Sequence, residues 1–342
     1  MQDSDYLKRC IALAQKGGSH VRPNPQVGAV VVYDNKIIGE GYHARYGGPH
    51  AEVNAINSVI EDSKKYLSES TIYVSLEPCC HFGLTPPCTD LIIRNKLKRV
   101  CIAELDPTFK VNQKGVNRLI THGVEVDIVK ISDNYAISEF IANQIHERPF
   151  IQLKFAKSSD HYIGKKDEQV WLSSKTSNIF THKLRAYTDG ILVGTNTALI
   201  DNPSLTLRNY PGNFPKRILL DRSGRVPESH DLLSDGIGCI LITENLRPNL
   251  GKEIEQVNLD FDSENFLEEL LKALFDRGIH HLIVEGGAKL LKSFLKANLW
   301  DEAVIIECPV ELKEGIKAPN INGKLIKTLQ LEQDNISIIR NA

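Results

Sequence analysis

Apolar residues recur along this chain at two periods, and the switch between them marks out the elements. Leu7, Cys10, Ile11 and Ala14 fall on one face of a helix that Gly17-Gly18 ends. Residues 29–33 are then a continuous apolar run, and Asp34-Asn35 turns it back into a second strand through Ile37 and Ile38, a hairpin. Helical spacing returns over 52–60, 89–96 and 116–121, with short apolar strands predicted at 71–75, 99–103 and 124–129. Such alternation predicts α/β layers. A helix over 132–146, with Ile137, Phe140, Ile141 and Ile145 on one face, stops at Glu147-Arg148-Pro149. Proline disfavours helix in the residue before it, so the domain boundary is placed there, giving 1–146 and 147–342. The second half predicts strands at 150–156, 190–193, 217–221, 239–243 and 281–284, and helices at 173–187, 266–275 and 289–297.

The length of 342 residues agrees with two domains rather than one core. A net charge of −2 without a Lys/Arg block argues against a nucleic-acid partner. The longest apolar stretches, such as 27–33, are too short to span a bilayer, and the first five residues carry no basic-then-apolar signal. Seven cysteines, an odd number unevenly spaced, fit a reducing cytoplasm and metal thiolates better than a disulfide framework.

The thiols matter most at 77–88. His50, Cys79 and Cys88 offer an imidazole and two thiolates, a tetrahedral zinc set with one position left for water. Zinc brings the pKa of such a water toward about 7. Glu52, two residues from His50, is placed to shuttle a proton to a leaving amine. His-x-Glu followed by Pro-Cys and a further Cys is the pattern of zinc deaminases acting on nucleobases, although eight residues separate the cysteines here rather than two. The bland alternative stays open: buried thiols, or a structural zinc closed by Cys80 or His81. Asn24 either turns its loop or holds substrate, and His43 either faces ligand or is solvated.

In the second half no Gly-x-Gly-x-x-Gly follows a strand, so a Rossmann site has no support. Two junctions, Val193-Gly194-Thr195 and Val284-Glu285-Gly286-Gly287-Ala288, still put small residues where helices begin, as phosphate loops do. Arg185 and Arg208 flank them as phosphate clamps or plain surface arginines.

Asn24-Pro25-x-Val27-Gly28, His50-Ala51-Glu52 and Glu77-Pro78-Cys79-x-His81-Phe82-Gly83-x-Thr85-Pro86-Pro87-Cys88 resemble the bifunctional riboflavin-biosynthesis deaminase/reductase family. So do Arg148 through Lys154, Asp189 through Arg208, and Glu285-Gly286-Gly287. The resemblance spans about residues 5–310. It implies a cytidine-deaminase-like three-layer domain followed by a dihydrofolate-reductase-like domain, both α/β. It implies zinc on His50, Cys79 and Cys88 with Glu52 as proton shuttle, and hydrolytic deamination of a diamino-ribosylamino-pyrimidinone phosphate, with Asn24 and His43 as substrate contacts. The second domain would reduce the ribosylamino group with NADPH. By matching positions, Ala156, Trp171, Thr197, Asp201, Gly286 and Gly287 would touch cofactor, and Arg185, Leu205, Arg208 and Glu285 substrate. Lys154 is the candidate for an electrostatic or proton-donor role near C1′, or else a structural ion pair. The expected partner is a phosphorylated pyrimidine, with no nucleic acid and no membrane, in a cytoplasmic homo-oligomer.

Two departures stand out. Position 84 is Leu where the family carries Lys or Arg, and His161 stands in a loop where the family has Gly after Asp. The latter loop is expected to be rearranged. Three rival readings remain: a transfer-RNA adenosine or free-base deaminase, a nucleotide-binding regulatory protein with a structural zinc, and a deaminase with an inactive reductase domain.

Overall fold

A computed structural model describes residues 2–108, 110–131, 137–212 and 214–341. The chain divides into two compact units, Met1–Glu147 and Arg148–Ala342. In the first, α1 (Asp3–Ala14), β1 (Gly28–Tyr33), β2 (Lys36–Tyr42), α2 (Ala51–Asn57), β3 (Thr71–Val74), α3 (Cys88–Arg94), β4 (Arg99–Ile102), α4 (Lys114–Thr121), β5 (Glu125–Ile128) and α5 (Ser138–His146) follow in order. The expected start of α5 falls partly on residues 132–136, which lie outside the described ones.

The sheet runs β2-β1-β3-β4-β5, antiparallel through β3 and parallel beyond it. The apolar run of β1 explains the layering. Ala29 and Val31 pack with Ala55, Ile92 and Leu119 of α2, α3 and α4. Val30 and Val32 pack with Tyr6, Leu7 and Cys10 of α1 on the other face. A strand buried on both faces needs helices on both, hence three layers. Asp34 and Asn35 both take positive φ, 48° and 59°, as a primed two-residue hairpin turn requires. A Cβ added at Gly41 would lie 2.3 Å from the Ala55 nitrogen, so β2 meets α2 backbone to backbone and fixes where that helix begins, just after His50.

The second unit contains β6 (Phe150–Ser158), β7 (Tyr162–Gly164), α6 (Lys175–Ala186), β8 (Gly190–Gly194), α7 (Thr195–Asp201), β9 (Lys216–Leu220), α8 (Asp231–Ser234), β10 (Cys239–Thr243), β11 (Ile254–Asn258), α9 (Phe266–Phe275), β12 (His281–Val284), α10 (Ala288–Lys296), β13 (Glu302–Cys308), β14 (Ile316–Lys317), β15 (Lys324–Leu331) and β16 (Asp334–Arg340). Its main sheet runs β11-β10-β9-β8-β12-β6-β13-β16-β15. It is parallel from β11 to β13, and the β15/β16 hairpin completes it antiparallel. Leu270, Leu274, Leu291 and Phe294 of α9 and α10 cover one face, while Leu205, Leu232 and Leu233 cover part of the other.

The His161 loop corrects an expectation. His161 takes φ 67° and its N–H still bonds the Ser158 carbonyl at 3.0 Å. The tight turn is kept rather than rearranged. Asp160 secures it by accepting hydrogen bonds from the Ser158 hydroxyl and from the N–H groups of Leu312 and Lys313.

Candidate active sites

In the first unit, β3 ends at Val74 and delivers the cysteine segment toward the start of α2. His50 Nδ1 lies 3.5 Å from Cys79 Sγ and 3.4 Å from Cys88 Sγ. Zinc at ordinary bond lengths with tetrahedral angles would hold such N and S atoms about 3.6 Å apart, so the three donors fit it. The other His50 nitrogen, Nε2, sits 3.3 Å from Thr85 Oγ1, a hydroxyl that can accept its proton and leave Nδ1 as the lone-pair donor. The Cys88 N–H donates to Cys79 Sγ at 3.3 Å. Hydrogen bonding from Cys88 and His50 holds the Cys79 thiol down at about 4, against the opposing effect of burial. Cys88 is pushed up by that same sharing and by burial. Cys80 and His81 do not join the cluster, which among the described residues leaves the fourth ligand position to something other than protein.

Glu52 is 3% exposed and its Oε2 has no hydrogen-bond partner in the structure. Burial pushes its pKa up and Cys79 adds to this, against His50. His43 is buried rather than solvated: Nδ1 meets the Pro49 carbonyl at 3.0 Å and Nε2 meets Asn24 Nδ2 at 3.2 Å. Burial lowers its pKa, so the neutral ring donates to Pro49 and accepts from Asn24. This fixes the Asn24 amide and leaves its Oδ1 for a ligand. A cavity of about 700 Å³ opens onto Asn24, His43, His50, Glu52, Cys79 and Leu84. Sequence reasoning gave Glu77 no task. It is buried, and its carboxylate accepts the N–H groups of Asp106, Gln113 and Val116 at 3.3, 2.9 and 3.1 Å, tying the cysteine segment to the head of α4.

In the second unit, Arg185 at the end of α6 and Glu285 after β12 form a two-pronged ion pair, at 3.0 and 2.7 Å. Burial works to raise the Glu285 pKa, but Arg185 and Lys154 overcome it and hold the carboxyl at about 2. Lys154, on β6, is pushed down by burial; Glu285 works against that shift and Arg185 adds to it. Thr197 Oγ1 would lie 3.0 and 3.4 Å from Cβ atoms built on Gly286 and Gly287, so these three form one bare-backbone cradle at the head of α10. Bare N–H groups at a helix start can receive a phosphate. The Gln169 Nε2 amide donates to the Asp201 carbonyl at 3.2 Å. Trp171 is 70% exposed. Ala156 packs beside Leu172 and Val304.

Two residues fall differently from a simple contact list. The Leu205 side chain is buried with Ile191, Val193 and Leu219, and its backbone takes φ 52°. Arg208 is held through its backbone, the N–H donating to His182 Nδ1 at 3.3 Å. His182 went unnoticed in the sequence. It is 2% exposed, and burial lowers its pKa, with Arg185 and Arg208 adding to the effect. Its place one helical turn before Arg185 was the available signal.

Comparison with known proteins agrees with this division of labour. Residues 1–104 match the cytidine and deoxycytidylate deaminase zinc-binding region, and residues 149–340 match the RibD C-terminal domain. The riboflavin biosynthesis protein RibD of Aquifex aeolicus is 40% identical over 332 residues, covering 95% of this chain and 92% of that protein. Its counterpart in Chlamydia trachomatis is 34% identical over 313 residues, covering 88% and 82%. The crystal structure of a diaminohydroxyphosphoribosylaminopyrimidine deaminase/5-amino-6-(5-phosphoribosylamino)uracil reductase from Thermotoga maritima matches with a TM-score of 0.87 at 32% identity, over 99% of both chains. The expected pairing of a cytidine-deaminase-like domain with a dihydrofolate-reductase-like one is borne out, and the transfer-RNA deaminase and regulatory-protein readings give way. With both halves matched in one continuous chain, the protein belongs to the RibD family, the bifunctional deaminase/reductases of riboflavin biosynthesis.

Proposed function

We propose that the first unit releases ammonia from a diamino-ribosylamino-pyrimidinone phosphate, and that the second reduces the ribosyl group of the product with NADPH. The observation that carries this reading is the buried Glu52 carboxylate, with an unpartnered oxygen, beside the His50, Cys79 and Cys88 donor set. Zinc held by those three residues would supply the charge that brings a water's pKa toward about 7. Glu52 takes up a proton as the water oxygen bonds to the ring carbon, then returns it to the nitrogen as the C–N bond breaks and ammonia leaves. Burial favours the protonated carboxyl, which suits a group that must carry a proton between those two events. Asn24, its amide fixed by His43, receives a ring amino group on Oδ1 and sets the face presented to Glu52.

In the second unit, NADPH bound along Thr197, Gly286 and Gly287, with Trp171, Asp201 and Ala156 beside it, would supply a hydride to C1′. The sugar-ring oxygen leaves C1′ as the ring opens and needs a proton. Lys154 is the group placed to give one, its ammonium made more acidic by burial. Glu285 steadies the charged form of Lys154 and is itself pinned by Arg185. The side chain of Arg208 completes the substrate contacts, with Leu205 packed behind it.

The test uses the zinc-loaded protein, the phosphorylated substrate and a chelator. Ammonia release should vanish on zinc removal, while NADPH oxidation with pre-deaminated product persists. Folded, zinc-loaded protein that releases no ammonia would sink the proposal.

A further inference from the structure

The cavity of the first unit is lined by acidic side chains far more than by basic ones. Glu52, Glu77 and Asp106 line it together with Cys79. A phosphate monoester carries a charge of about −1.5 to −2 near pH 7, and a site that takes one needs a cation to meet it. Among the described residues lining the cavity, Lys110 is the single Lys or Arg. Leu84 and Tyr46 line it too, 73% and 52% exposed, and neither carries charge. Two of the imidazoles are already engaged, His43 with Asn24 and Pro49, and His50 with the cysteines and Thr85.

The turn that carries Lys110 is built firmly. Asp106, 7% exposed, accepts the Thr108 N–H at 2.8 Å and the Thr108 hydroxyl at 2.6 Å. Val111, 3% exposed, donates its N–H to the Thr108 carbonyl at 3.0 Å. The Glu77 carboxylate grips the turn at both ends, through the N–H groups of Asp106 and Gln113. Two buried carboxylates thus fix the backbone on either side of an exposed lysine that has no ion-pair partner among the described residues. A long flexible stem ending in a compact charge suits a phosphate whose position shifts as the ring is turned over.

We propose that Lys110 is the phosphate-binding residue of the deaminase site, and that it makes this site prefer a phosphorylated nucleotide to the corresponding nucleoside. The inference rests on the proposed reading that the substrate is phosphorylated. A charge-assisted contact of this kind is worth roughly tenfold to a hundredfold in selectivity.

The experiment measures kcat/KM for ammonia release from the phosphorylated substrate and from its dephosphorylated nucleoside, using zinc-loaded full-length protein. In Lys110→Gln the ratio of the two should fall by about tenfold or more, through KM for the phosphorylated substrate, and more salt should shrink the wild-type ratio. Lys110→Arg should keep most of the ratio. Adding Leu84→Lys to Lys110→Gln should restore part of it, because position 84 faces the same cavity. An unchanged ratio in Lys110→Gln overturns the inference, as does a loss found in His81→Ala instead. If the wild type releases no ammonia from either compound, the proposed function fails on its own account. Calorimetry with ribose 5-phosphate against ribose, in an Arg208→Ala background that weakens phosphate binding by the second unit, then decides the role of Lys110: equal phosphate binding with and without Lys110→Gln would refute it.

Discussion

The two candidate sites are built by opposite means. In the first unit the chemistry is concentrated. Three donor atoms and one carboxylate come from two short segments, and the spacing of the donors fits a metal's bond lengths. In the second unit it is dispersed. Lys154, Arg185, Glu285 and the Thr197 cradle come from β6, α6, the end of β12 and α7, and an ion pair ties Arg185 to Glu285. A site organised by a metal depends on a few atoms and tolerates change around them. A site organised by an ion pair across a sheet should fail in stability and in activity together.

The largest effects should separate the units cleanly. Glu52→Gln should cut ammonia release by about a hundredfold to ten-thousandfold, the range expected for losing a general acid–base group, with zinc content retained. NADPH oxidation of pre-deaminated product should be untouched, and a parallel fall there would break the comparison. Glu285→Gln should do the reverse and also destabilise the second unit by about 3 to 5 kcal/mol, since Arg185 is left buried without its partner. Denaturant unfolding read alongside both activities checks this, and a fully stable variant would contradict the ion-pair account.

Smaller effects sharpen the contrast. Thr85→Val removes the acceptor opposite His50 Nε2 and should weaken zinc binding about tenfold to a hundredfold, measured by chelator competition. The Glu285 carboxyl, held at about 2 against an ordinary 4.5, contributes stability that is complete above about pH 4.5. That contribution, on the order of 3 kcal/mol, should be lost as the pH falls toward 2, and acid unfolding of Glu285→Gln should lack it. Smallest is His161→Gly, which relieves a positive φ and should stabilise the second unit by up to about 1 kcal/mol.

The difference between the sites also explains what the sequence made legible. The metal set could be read because His, Cys and Cys in that order leave few alternatives, and Glu52 came with it. The burial of His43 could not, since it depends on the Pro49 carbonyl and Asn24 closing on both ring nitrogens. Glu77 was visible only as a motif letter, because its three partners are backbone N–H groups from distant turns. In the second unit the strands that are apolar throughout, such as residues 281–284, were read from composition. β11, β13 and the β15/β16 hairpin were not, for their burial alternates or is partial and their register is decided by neighbours. Leu205 shows the limit most plainly. A resemblance put it at the substrate, while its burial in the core came only with the fold.

One chain is expected to carry two chemically independent sites. The most direct measurement follows ammonia release and NADPH oxidation together, in one solution, for the wild type and for Glu52→Ala. The wild type should release ammonia first and consume NADPH after it. Glu52→Ala should show neither from the first substrate, yet oxidise NADPH at the wild-type rate once given the deaminated product. NADPH consumption by Glu52→Ala from the first substrate, or no consumption from the second, would contradict the account.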